Sequence, residues 1–365
     1  MFEYTGAIHI HSTYSDGTGK IEDIAHAAKD SGLDFIMMTD HNTLRPREDG
    51  YERWLNDVMV IIGFEINDTD NKNHYLAFGA SEVPGAFIVL DNGELGSKLL
   101  PKEYVRLINE QGGFGFIAHP DEERGHIRGH SAYPWTQWDI EEFTGIEIWN
   151  HMSEWIEGMN DENTLQRFLH PLKTIISPPQ KTLKRWDILS QQRHITAIGS
   201  VDAHAFRQNV LGFLDVEVFA YKILFKSIRT HVLVEEEILK NDPSTFEQEK
   251  QKILNSLRSG RCFIANYYHG DAKGFRFFAE YKGDTYNMGD TINVNNKEKI
   301  TLRALVPKLT SIRLIHNGNM ISETTAMNNI WDIRETGVYR VECWQGNKGW
   351  IFSNHIRVNN NGTIS

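Results

Sequence analysis

Ala7-Ile8-His9-Ile10-His11-Ser12-Thr13-Tyr14-Ser15-Asp16-Gly17, followed by Met38-Thr39-Asp40-His41-Asn42, is the sequence on which the reading of this chain turns. The first piece is an apolar strand running into two histidines separated by one residue, then a turn that holds a carboxylate. Side chains at i and i+2 of a strand point the same way. His9 and His11 are therefore expected to aim two imidazoles at one point, and Asp16 can return to it from the turn. The second piece is another apolar strand, Phe35-Ile36-Met37-Met38, which also ends in Asp and His. Two strands that end in ligand-type residues predict a sheet or barrel with a metal site at its carboxyl end.

Outward from there the same grammar repeats. Lys20 to Ser31 reads as an amphipathic helix closed by Gly32, with Ile21, Ile24, Ala25 and Ala28 on one face. Arg45 to Asp57 reads as a short outer helix. Further apolar strands end or open in ligand-type residues: Met59 to Glu65, His74 to Gly79, Phe114 to His119, Thr144 to Asn150 and Ile195 to His204. Helical patterns lie over Pro101 to Gln111, Asp161 to His170, Thr182 to Gln192, Tyr221 to His231 and Ser244 to Ser259, with a last short strand at Arg261 to Asn266. Continuous apolar strands alternating with helices predict a parallel α/β architecture, and ligand types at the strand ends point to a barrel. Near Gly270 the pattern becomes β-rich, with Asn317-Gly318 and Asn347-Lys348-Gly349 turns and no helix. The expected organisation is a barrel over residues 1–268 and an immunoglobulin-like β-sandwich over 269–365.

Composition narrows the functions. The chain has 365 residues and a formal net charge of −11, which disfavours broad binding to nucleic acid or an anionic membrane. No apolar run reaches the length of a membrane span. No basic stretch followed by an apolar core opens the chain, and the only two cysteines, Cys262 and Cys343, have no pairing motif. The expectation is a cytoplasmic protein with reduced thiols.

The strand-end set is His9, His11, Asp16, Asp40, His41, Glu65, His74, His119, Asp202 and His204. All are imidazole or carboxylate, which suits zinc, manganese or iron. Any one of these could be a buried polar residue with a backbone partner. Desolvating so many together without cations would be costly. Ten donors exceed the needs of one ion and fit two or three. Glu65 is a good bridge, because two oxygens can each hold one ion. Two ions roughly 3.5–4 Å apart can hold a hydroxide between them.

His9-Ile10-His11-Ser12 with Ser15-Asp16-Gly17, Thr39-Asp40-His41, Gly63-Phe64-Glu65, His74, Ala118-His119-Pro120 and Asp202-Ala203-His204 resemble the successive motifs of the PHP (polymerase and histidinol phosphatase) superfamily. The resemblance implies a distorted seven-stranded (β/α)7 TIM-like barrel with two or three divalent metal ions. It implies one ion at His9, His11, Glu65 and Asp202, a second at Glu65, His74 and His119, and a third at Asp16, His41 and His204. Asp40 would orient a ligand histidine. Gly349 to Ile356 resembles the closing motif of a branch named for carbaryl hydrolases, which carries a β-sandwich after the barrel. That branch usually has proline where His355 stands.

Weaker candidates surround this set. Arg124, His126 and Arg128 sit in a polar loop after His119 and could bind an anionic substrate, arginine bidentately. Asn150 and His151 end a strand and are expected to face the site, His151 as a ligand or general acid. Arg207 follows His204 as a further substrate-binding candidate. With Asp40 and His204, His151 completes the candidate catalytic groups. The reading that results is a metal-dependent hydrolase of a small, anionic phosphoester. A carbamate or carboxyl-ester hydrolase is the alternative, and an exonuclease or a non-catalytic binding module is less well supported.

Overall fold

The structure is a computed structural model that describes residues 1–91, 93–124, 131–210, 214–218, 220–295 and 298–360, without the side chains at 207–210 and 214–216. Two sheets carry the strand-end residues. One runs Ile228–Val234, Phe2–Ile10, Phe35–Met38, Val58–Ile62. Its last three strands are mutually parallel, and Ile228–Val234 is antiparallel to Phe2–Ile10. The other runs Phe64–Ile66, Tyr75–Phe78, Phe114–Ile117, Gly145–Asn150, Thr196–Ser200.

The sheets meet along two seams. At one, the chain passes straight from the first sheet to the second through Gly63, whose N–H donates to Met38 O at 2.9 Å, and His41 and Glu65 form an isolated bridge. At the other, Ile10 bridges Ala203, and Val201 N donates to Ile8 O at 3.2 Å. The expected parallel barrel is met in part. Among the described residues the two sheets meet edge to edge at both seams through several backbone hydrogen bonds, including Asn42 N to Glu65 O at 2.8 Å at one and His11 N to Ala203 O at 3.0 Å at the other. Tyr75–Phe78 runs antiparallel to both neighbours. Residues 67–74, which lead into it, are too few for the crossover a parallel strand needs.

A second correction concerns Tyr221 to His231. Only Tyr221–Leu224 is helical, and Ile228–Val234 is a strand buried along its whole length. Its Ile, Thr and Val residues favour a two-sided buried strand. The helix Ile21–Asp30 buries Ile21, Ile24, Ala25 and Ala28, the face read from the sequence.

The C-terminal region is β-rich, but its strands join one sheet that is continuous with the first. Cys262–Asn266 pairs antiparallel with Ile228–Val234 on one side and with Lys348–Ser353 on the other. The long strand Ile300–His316 pairs with Arg276–Tyr281 near its start and with Gly337–Gln345 near its end. Phe277, Leu302, Ile312, Val341 and Trp350 belong to one apolar core here.

The Ser353-Asn354-His355 segment ties this region to the rest. Ser353 Oγ accepts from Val341 N at 2.8 Å, and Asn354 exchanges hydrogen bonds with Ala197 N and O at 2.7 and 2.9 Å. His355 Nε2 donates to Asp187 at 2.8 Å, and Arg340 grips both oxygens of Asp187 at 2.7 and 2.8 Å. Both cysteines are free and buried. Among the described residues no helix is long and apolar enough to cross a membrane.

Candidate metal centre

The polypeptide reaches this centre through an irregular backbone. His9, His119 and Asp202 have positive φ of 66°, 29° and 52°. Such conformations cost on the order of 1–3 kcal/mol each in non-glycine residues and gather at functional sites. His9 also marks a register shift in the pairing of Phe2–Ile10 with Phe35–Met38. Regular i, i+2 alternation is therefore not what brings His9 and His11 together. A bulge does so, leaving their ring centroids 5.1 Å apart.

Glu65 is the hub. Its Oε2 lies 3.0 Å from His9 Nε2, 3.2 Å from His11 Nε2 and 3.6 Å from His41 Nδ1. Its Oε1 lies 2.8 Å from His74 Nδ1 and 3.2 Å from His119 Nε2. Asp202 Oδ1 is 3.3 Å from His9 Nε2 and 3.6 Å from His11 Nε2. Asp16 Oδ2 is 3.3 Å from His204 Nε2 and 3.9 Å from His41 Nε2.

All nine candidate ligands thus fall into one cluster. Donor atoms within 4.8 Å of one another form four groups: His11, Asp16, His41 and His204; His9, Glu65 and His119; His9, His11 and Asp202; and His41, Glu65 and His74. His9, His11, His41 and Glu65 each belong to two groups, so the cluster is more shared than a partition into three separate shells.

The electrostatics follow from burial against charge. Burial disfavours a cation on His9, yet Asp202, Glu65 and Glu147 outweigh it and hold its pKa well above the usual value. His11, equally buried, is pulled down to about 4 by burial and by His204 and His41. Burial is likewise outweighed at His119 and His204. Glu65, Glu122 and Glu147 lift the first to about 9, and Asp16 and Asp202 the second. Glu65 itself is held well below the carboxylate range, its burial overcome by the surrounding imidazoles. The cluster concentrates negative charge that recruits cations, protons included.

Glu147 is the residue the sequence reading passed over. Its Oε1 accepts from His9 Nδ1 at 2.8 Å and from Ser200 Oγ, and its Oε2 accepts from His119 N at 2.6 Å and from Asn150 Nδ2 at 3.0 Å. It fixes the proton on His9 Nδ1 and leaves Nε2 facing Glu65 and Asp202. A lone carboxylate inside the apolar strand Gly145–Asn150 is the signal that could have found it.

Several other assignments are corrected. Asp40 touches no histidine directly: it accepts from Ser12 N at 2.7 Å, Ser12 Oγ at 2.8 Å and Ser15 Oγ at 2.9 Å, and Ser15 Oγ lies 3.5 Å from His11 Nδ1. It therefore shapes the turn that carries Asp16. Asn150 does not face substrate. Its amide also donates to Asp202 at 3.1 Å, and its Oδ1 caps the helix His151–Glu157 by accepting from Ser153 N. His151 is fully buried with neither ring nitrogen hydrogen-bonded, and burial with the nearby Arg167 lowers its pKa to about 3. Met152, not His151, lines the cavity. The register shift between Glu147 and Trp149 changes the direction of side chains at the end of this strand, so ending it does not bring these two residues to the cavity.

A cavity of about 520 Å³ opens above the cluster. Asp16, His41, Glu65, His74, His119, Asp202 and His204 line it. Arg124 lines it too, held by Glu122 at 2.7 Å, with its guanidinium 4.8 Å from the Tyr133 ring centroid. Tyr133 stacks on His74. His126 and Arg128 lie outside the described residues. Arg207 stands on the strand Phe206–Val210, and its side chain is likewise outside them.

Residues 7–117 match the PHP domain family model, which bears out the resemblance over that stretch. An uncharacterized protein of Methanocaldococcus jannaschii is 31% identical over 133 residues, covering 31% of this chain and 66% of the relative. A two-domain protein from Bacteroides vulgatus containing a predicted PHP-like metal-dependent phosphoesterase aligns with 15% identity and a TM-score of 0.45, over 97% of this chain and 95% of that one. A candidate metal-dependent phosphoesterase from Bifidobacterium adolescentis aligns with 17% identity and a TM-score of 0.33, over 58% of this chain and 92% of that one.

Proposed function

We propose that this protein, which matches the PHP domain over residues 7–117, is a metal-dependent hydrolase of small, anionic phosphoesters. The observation that carries the reading is Glu65, one buried carboxylate whose two oxygens together face five imidazoles. The donor set fits divalent cations of the zinc, manganese or iron type. It is all nitrogen and oxygen, and the buried His11 Nε2 and His119 Nδ1 have no hydrogen-bond partner. His9, His11, Glu65 and Asp202 would hold one ion, His74 and His119 with Glu65 a second, and Asp16, His41 and His204 a third. Bound there, two or three such ions supply Lewis acidity and a water that ionises near neutral pH.

The chain's own residues supply the rest. Glu147 fixes the tautomer of His9, and Asn150 holds one oxygen of Asp202 away from the cluster. Glu122 pins Arg124 at the cavity wall, where its guanidinium can take one oxygen of the substrate's anionic group. Asp40, through Ser12 and Ser15, keeps the Asp16 turn in place.

A second reading, hydrolysis of a carbamate or carboxyl ester, draws on the apolar residues that share the cavity lining with the metal-type residues and on the likeness of Gly349 to Ile356 to the carbaryl-hydrolase branch. Exonuclease activity is disfavoured, because Arg124 is the one arginine or lysine among the described residues lining the cavity. Protein loaded with manganese, zinc or iron is to be assayed on 4-nitrophenyl phosphate, bis(4-nitrophenyl) phosphate, nucleotides and naphthyl carbamates. Phosphoester turnover abolished by a chelator is expected. Turnover of the uncharged esters alone would replace the first reading with the second.

A further inference from the structure

The hydrolase reading accounts for part of the cavity lining only. The rest of the lining is largely apolar and includes Met152, Trp155, Met159, Phe168, Phe206 and Val218. Trp155, Phe168 and Val218 also bound a second cavity of about 410 Å³, which continues along Leu169, Ile223 and Tyr268. These last three side chains are 60%, 39% and 44% exposed. Exposed apolar side chains gathered at a cavity beside a polar centre are a mark of a binding groove. The three shared residues set the second cavity directly beside the cavity over Glu65.

We infer that the substrate is an ester with a long apolar arm. Its polar head lies over the Glu65 cluster, and its arm runs along the Trp155–Phe168 wall into the groove at Leu169 and Ile223. The location of the head rests on the hydrolase reading, and the apolar arm site rests on the two cavities alone. The groove adds discrimination by length. Each methylene moved from water into it should tighten binding roughly fourfold.

The test is isothermal titration of the metal-loaded protein with methyl-, butyl- and octylphosphonate. These carry the head and the arm and are not hydrolysed. Affinity is expected to climb with chain length, by at least about a hundredfold from methyl to octyl. In Leu169→Asp and Ile223→Asp, both at partly exposed positions, the octyl-to-methyl ratio should fall at least tenfold. Circular dichroism would check that these variants keep the fold. A flat dependence on chain length in the wild type, absence of any binding, or an unchanged ratio in both variants would overturn the inference. So would light scattering that shows a dimer dissociated by Ile223→Asp, which would give the groove to a second copy of the chain. Steep chain-length dependence without turnover of any phosphoester would sink the phosphoesterase reading and leave the arm site standing. Turnover with no length dependence would do the reverse.

Discussion

At the residue scale, the site was legible wherever chemistry restricts the choice. An imidazole or carboxylate at the end of an apolar strand has few bland explanations, and nine of the ten residues so marked converge on one cluster. Glu147, Asn150 and His151 were harder, because their directions depend on a bulge no pattern announces. Replacing Glu65 with alanine removes the one group that faces both halves of the imidazole set. Metal content by elemental analysis should fall and kcat should drop on the order of 10³-fold, a loss of several kcal/mol. Glu147→Gln keeps the shape but weakens the grip on His9 Nδ1. It is expected to lower metal affinity 10–100-fold by competition with a chelator, and to lower the melting temperature too, because an amide NH2 cannot accept from the donors that one carboxylate oxygen serves. His9→Ala and Asp16→Ala probe how far the ions are separate. Asp16→Ala should cost one ion per chain by elemental analysis, and loss of every ion in both variants would mean the cluster binds cooperatively.

At the element scale, length and periodicity found most strands and failed where a short segment supports two structures. Ile228 to Val234 has neither a clean helical face nor polar alternation, so only its two strand neighbours decide it. The hand-over between sheets was also hidden, because Met59 to Glu65 reads as one strand. It is two, Val58–Ile62 and Phe64–Ile66, hinged at Gly63. A Cβ on Gly63 would come within 2.3 Å of Ala77 O and 2.4 Å of the Phe78 ring. Gly63→Ala should therefore cost at least about 1–3 kcal/mol. The expected outcome is a melting temperature lowered by several degrees and weakened metal retention, because Glu65 lies two residues on.

At the scale of the whole molecule, the C-terminal region is bound to the site-bearing part through buried charge. Asp187 stands on the helix Gln180–Gln192, while Arg340 and His355 belong to the β-rich region. Removing one partner of such a buried pair costs about 3–5 kcal/mol, so Asp187→Asn should lower the melting temperature markedly. Its pH dependence has a defined sign. Burial pushes the Asp187 carboxyl up, but Arg340 and His355 outweigh it and hold the pKa below the ordinary range. The stabilisation is therefore complete above about pH 4 and is lost as pH falls further, through the folded-state pKa. Melting curves between pH 7 and 3 should show a shallower acid slope in Asp187→Asn than in the wild type. The sheet adds a consequence in time. Neighbouring strands lead in space from Phe2–Ile10 through Ile228–Val234 and Cys262–Asn266 to Lys348–Ser353. At a synthesis rate of about 5–20 residues per second, His9 leaves the ribosome on the order of ten seconds or more before the strand that flanks it. Asp202 and His204 must follow before the donor set is complete, and Lys348–Ser353 later still before that edge is sealed. A growing chain holds an open, partial set of imidazoles, and capture of the full complement of ions belongs to a chain already far advanced in its making.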